Sequence, residues 1–143
     1  MADKNSFIQS VNTGYTFKGE SFVVGAAILN GEVLSEALVR LPLKTLNRHG
    51  LIAGATGTGK TKTLQVIAEG LSNASVPVMV MDIKGDFSGI AEQGSLNDKI
   101  KERYGKMALE YVPGSFPVEL MSLSEEKGVR LRATVSEFGP VLI

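Results

Sequence analysis

The chain contains no cysteine and no tryptophan, and aromatic residues make up only 6% of its 143 positions. Without thiols, disulfides and thiolate metal centres are excluded outright. Fifteen basic and fifteen acidic residues give a formal net charge of zero, so no overall basic field advertises a nucleic-acid wrapper. A local basic patch remains open. No apolar run approaches the roughly eighteen residues of a membrane span, and Met1-Ala2-Asp3-Lys4-Asn5 lacks the apolar core of a secretion signal. The chain therefore reads as cytoplasmic and independent of a membrane. Its hydrophobic content of 43%, with 21% charged residues, is ordinary for a globular chain, and its length suits one domain with a core.

What the chain does have is Gly54-Ala55-Thr56-Gly57-Thr58-Gly59-Lys60-Thr61, a full match to G-x-x-x-x-G-K-[ST]. Each residue type meets a need of a polyphosphate. Glycines let the backbone turn tightly and aim several N–H groups at phosphate oxygens. Lys60 carries a positive charge toward the β- and γ-phosphates, and the Thr61 hydroxyl is suited to a bridging Mg²⁺. Thr56, Gly57, Thr58, Gly59, Lys60, Thr61 and Lys62 are thus the candidate contacts to ATP, with Thr61 the metal ligand and Lys60 a candidate catalytic group. The flanks fit: His49 to Ala53 reads as a buried parallel strand, and Leu64, Ile67, Ala68 and Leu71 mark one face of a helix.

The rest divides around this motif. Residues 1–20 are polar and read as a flexible arm, 21–46 as a small β-rich segment, and 47–143 as the N-terminal part of a phosphate-loop domain. Phe22 to Leu29 is a strand candidate ending at Asn30-Gly31, the favoured type I′ hairpin pair. Glu32 to Leu34 and Leu38 to Leu43 read as two further strands, the second limited to an edge by Pro42. Val78 to Met81 reads as a strand ending in Asp82, at the carboxyl edge where open α/β sheets bind ligands. Asp82 is either a water-orienting catalytic carboxylate or a cap on the turn that follows. Ser95-Leu96-Asn97-Asp98 has capping-box form, with Gly105 as the helix stop, and Ala108 to Val112 is a third strand candidate. Val129, Leu131, Ala133 and Val135 alternate like a half-buried strand, which gives Arg130 and Arg132 a solvated face. His49 reads as an ordinary loop histidine, and Lys84 and Asp86 as a possible surface pair. The expected architecture is α/β: a three-layer core with a mainly parallel sheet, incomplete at its C-terminal end.

Three classes share such a loop. Small-molecule kinases usually begin with it, whereas some fifty residues precede it here, and the guanine-reading Asn/Thr-Lys-x-Asp element of GTPases is missing. A motor-like ATPase remains. Asn47-Arg48-His49-Gly50-Leu51-Ile52-Ala53 leading into the loop, Val80-Met81-Asp82-Ile83-Lys84-Gly85-Asp86-Phe87-Ser88-Gly89, and Arg132 to Pro140 resemble the bacterial HerA-like subgroup of the HerA/FtsK ATPases. The resemblance runs from about Gly25 to the end. It implies an ATP- and Mg²⁺-dependent DNA translocase or helicase that works as a hexameric ring, in some relatives with a nuclease partner. It also implies that the Walker B pair, the polar sensor and the trans-acting arginine lie beyond these residues, so the chain reads as a fragment. A small-molecule kinase and a non-catalytic nucleotide-binding or assembly module are the alternatives.

Overall fold

The computed structural model describes residues 3–123 and 128–132. It begins with a helix, α1 (Lys4–Gly14), where the composition predicts a loose arm. Asp3 starts it by accepting the N–H groups of Asn5 and Ser6 at 3.4 and 3.3 Å. Asparagine, serine and threonine inside α1 are poor helix formers, which hides the pattern. Phe7, Ile8 and Val11 nevertheless form a half-buried stripe.

The strand β1 (Ser21–Leu29) turns through Asn30 and Gly31, both at positive φ (50° and 83°), into β2 (Glu32–Pro42). That is the type I′ geometry expected of Asn-Gly. α1 packs on β2. Lys4 Nζ meets Glu32 Oε1 at 2.8 Å, and Asn12 Nδ2 donates to the Glu36 carbonyl at 3.1 Å. The two strands expected after the turn are one. Ala26 pairs with Leu38 and Ala27 with Leu34, so Ser35, Glu36 and Ala37 bulge out of the ladder. The bulge breaks the apolar alternation, so the sequence reads as two pieces, yet it fully buries Ala37 beside the buried Leu34.

The helix α2 (Lys60–Asn73) packs against β1 through a close approach at Gly70. A Cβ there would overlap the Phe22 ring, so only glycine allows this spacing. A third helix, α3 (Asp98–Lys106), is capped by Asn97, whose Oδ1 accepts the Ile100 N–H at 2.9 Å. It runs through Gly105, where the sequence suggested a stop. Its end is a Schellman turn instead: Ala108 takes a left-handed φ of 51°, and Leu109 N–H reaches the Tyr104 carbonyl at 3.0 Å. Tyr111 then meets Tyr104 edge-on, with ring centroids 5.1 Å apart.

The fold is a small mixed α/β arrangement with an antiparallel pair, β1–β2, and a short parallel pair, β3 (Met121–Ser122) with β4 (Val129–Arg130). Among the described residues no strand forms over 49–53, 78–81 or 108–112. A parallel strand is stable when it is paired and covered on both faces. Here Leu51, Met79, Met81 and Val112 are mostly exposed, so those runs have neither ladder nor cover. The alternating run is met only at its start, by β4; Ala133, Val135 and the stretch on to Pro140 lie outside the described residues. No described helix is long and apolar enough to cross a membrane.

Candidate functional site

The candidate site is the turn between Gly54 and the first turn of α2. Gly57 and Gly59 hold φ angles of 80° and 94°, which side-chain-bearing residues rarely adopt. Gly54 faces Thr58 so closely that a Cβ would lie 2.6 Å from the threonine Oγ1. The loop folds onto one acceptor, the Ala55 carbonyl. It takes the Thr58 N–H at 3.4 Å, the Thr58 hydroxyl at 2.8 Å and Lys60 Nζ at 2.7 Å.

That closure leaves a set of donors free. The first backbone bond of α2 runs from Thr63 N–H to the Gly59 carbonyl at 2.9 Å, seconded by the Thr63 hydroxyl at 3.1 Å. The N–H groups of Gly57, Gly59, Lys60, Thr61 and Lys62 donate to no backbone carbonyl. They are the orphan donors of a helix start, where the helix dipole also favours an anion. The Thr61 hydroxyl makes no hydrogen bond, which leaves its oxygen lone pairs for a cation. A polyphosphate with Mg²⁺ fits this donor set: fixed N–H groups for oxygens, one ammonium, one free hydroxyl. Thr56 lies on the exposed rim of the same loop.

Lys62 divides its roles. Its N–H belongs to the free set, whereas its Nζ turns away and donates to Gln65 Oε1 at 2.7 Å. Gln65 is a buried polar side chain, 7% exposed, and its Nε2 donates onward to the Asp86 carbonyl at 3.3 Å. In the sequence it lies off the face marked by Leu64, Ile67, Ala68 and Leu71, which is why periodicity passes over it.

Asp82 sits at the start of the segment that this bond reaches. Its Oδ2 accepts the Phe87 N–H at 2.8 Å and its Oδ1 the Lys84 N–H at 3.2 Å. This is the turn-capping geometry of the two roles open to it. Phe87, 8% exposed, anchors the turn. No hydrogen bond or ion pair joins Asp82 to Lys60 or Thr61; among the described residues a bonded path runs from Lys62 through Gln65 and the Asp86–Phe87 peptide to Asp82. Lys84 and Asp86 form no ion pair; His49, Arg130 and Arg132 are exposed.

Electrostatic perturbation lies behind the loop. Burial pushes the Glu69 carboxyl up from its ordinary value, against the opposing pull of the Lys62 ammonium. Burial also raises the Tyr104 hydroxyl, and the negative charge of Glu69 adds to it. No group of three acidic or histidine side chains suited to a metal occurs among the described residues.

No curated protein and no solved structure matches the chain. One family model does, described as helicase HerA-like C-terminal, and it spans residues 28–143. The match begins within β1 and takes in the glycine loop, α2, the Asp82 turn and α3. With well over half of its length accounted for, the chain belongs to the helicase HerA-like C-terminal family.

Proposed function

We propose that this chain is the Mg·ATP-binding portion of a HerA/FtsK-type motor ATPase that acts on DNA as a hexameric ring in the cytoplasm. Residues 47–143 would be the start of its three-layer nucleotide-binding core, with residues 21–46 a β-rich element laid against it. The observation that carries the reading is the set of unpartnered N–H groups of Gly57, Gly59, Lys60, Thr61 and Lys62 beside the free Thr61 hydroxyl. ATP and ADP would lie with their phosphates against Gly57, Thr58, Gly59 and the start of α2, with Thr56 at the rim. Lys60 would exchange the Ala55 carbonyl for phosphate oxygens, and Thr61 would hold Mg²⁺. Asp82 would serve turnover through the turn it holds. Family membership supports ATP, DNA, ring assembly and, in some relatives, a nuclease as partners.

The test is calorimetric titration of the chain and its Lys60→Ala variant with Mg·ATP. Losing a charge-assisted contact to phosphate costs about 2–3 kcal/mol, so the variant's Kd should rise by roughly a hundredfold. Equal affinities would remove the loop from the site.

A further inference from the structure

A continuous hydrogen-bonded path leaves the phosphate loop and ends in a different segment of the chain. Lys62, in the first turn of α2, donates to Gln65 Oε1 at 2.7 Å. The other end of the same amide, Nε2, donates to the Asp86 carbonyl at 3.3 Å. The peptide that carries this carbonyl also carries the Phe87 N–H, which donates to Asp82 Oδ2 at 2.8 Å. Within this path Gln65 is the only side chain that spans α2 and the Asp82–Phe87 turn, and it is buried. A buried amide with both ends engaged is held in one orientation, because rotating it would set donor against donor and acceptor against acceptor.

We propose that Gln65 is the positioning residue that carries occupancy of the phosphate loop to the Asp82–Phe87 turn. The inference rests on the nucleotide-binding reading of the loop. Phosphate bound by the N–H groups of Lys60, Thr61 and Lys62 draws on the same helical turn that supplies the Lys62 ammonium. A shift of that ammonium changes the bond to Gln65 Oε1. Because the amide is rigid and buried, its Nε2 moves with it, and so does the Asp86–Phe87 peptide on which Asp82 is closed. The turn thereby becomes sensitive to the nucleotide without touching it.

Two variants separate this role from simple packing. Gln65→Leu keeps the size and removes both bonds. Gln65→Glu keeps the acceptor for Lys62, but its ionised carboxylate has no hydrogen for the Asp86 carbonyl. The measurement is amide NMR on the whole chain, wild type and both variants, with and without Mg·ATP. The reporters are Gly57 to Thr61 for the loop and Gly85 and Phe87 for the turn. In wild type both groups should shift on nucleotide addition. In either variant the loop should still shift, with affinity within about threefold, while the response of Gly85 and Phe87 is lost. Phe87 amide exchange in the free variants should also quicken by about three- to tenfold. Loop shifts with an undiminished turn response in Gln65→Glu would overturn the proposal, as would a wild-type turn that ignores nucleotide. A loop that shifts in no protein would instead overturn the nucleotide-binding reading. Should Gln65→Leu not fold, Gln65→Glu alone decides between these outcomes.

Discussion

Replacing Asp82 by asparagine removes a charge and one acceptor while keeping the side chain's shape. In the native turn the two carboxylate oxygens serve two backbone donors, Phe87 N–H at 2.8 Å and Lys84 N–H at 3.2 Å. Asparagine has a single acceptor oxygen, so one donor must face the amide NH₂. The shorter bond, to the more buried residue, should be kept and the exposed Lys84 N–H handed to water. Two losses follow. The retained bond is no longer charge-assisted, and the Lys84 side gains a donor–donor contact. Together these amount to about 1–2 kcal/mol. For a chain of this size that corresponds to a fall in Tm of roughly 3–8 °C. Since neither bond involves the loop, Mg·ATP affinity should change by less than about threefold. Thermal denaturation followed by circular dichroism, alongside calorimetric titration, measures both quantities on the same preparation. An unchanged Tm with a tenfold or greater loss of affinity would refute the argument, because Asp82 would then be meeting the ligand and not the turn.

Other expectations follow from single contacts. Gly70→Ala should destabilise the chain by about 1–2 kcal/mol despite alanine's better helix propensity, because its Cβ meets the Phe22 ring. The sign should invert in a Phe22→Ala background, where the overlap is gone, and a chemical denaturation cycle over the four proteins reads this directly. Glu69 is raised above its ordinary value near 4.5, so its contribution to stability is full below that value and lost as pH rises through the raised one. Glu69→Gln should therefore stabilise the chain slightly at pH 7, by less than about 1 kcal/mol given its partial exposure, and the advantage should vanish in melts near pH 4. The isolated chain should turn over ATP very slowly and without stimulation by DNA, because among the described residues no acidic side chain is paired with Lys60 or Thr61 to orient a water there. Brisk DNA-stimulated phosphate release, lost in Lys60→Ala, would contradict this.

What could be read from the sequence, and what could not, divides by the range of the physics involved. The glycine loop, the α2 helix and the Asn30-Gly31 turn are local: a positive φ, a helix start and a hairpin twist are each decided by a few neighbouring residues. Their residues were therefore legible one by one. α1 was not, because its support comes from elsewhere, from Lys4 on Glu32 and Asn12 on the Glu36 carbonyl. The end of α3 was misjudged for a different reason. Glycine is the commonest residue in a left-handed cap, yet here Ala108 takes it, since the Leu109 N–H reaches back to Tyr104 and Tyr111 closes on the Tyr104 ring.

The same division decides how the site itself should be understood. Apolar runs such as Val78 to Met81 state only that a strand would be stable if paired and covered, and in this chain Met79 and Met81 stay largely exposed. The position of Asp82 therefore owes nothing to a sheet edge, although a sheet edge is what first singled it out. It owes its position to a turn closed by its own carboxylate and tied to α2 through Gln65. A polar residue beside the apolar stripe of a helix is usually read as part of its solvated face. At Gln65 it is the element that relates the loop to the turn, because burial makes both of its hydrogen bonds hard to exchange for water. A hydrophobic residue there would leave the Asp86 carbonyl without its partner. The buried amide beside the apolar stripe is thus what ties the two halves of the candidate site into one structure.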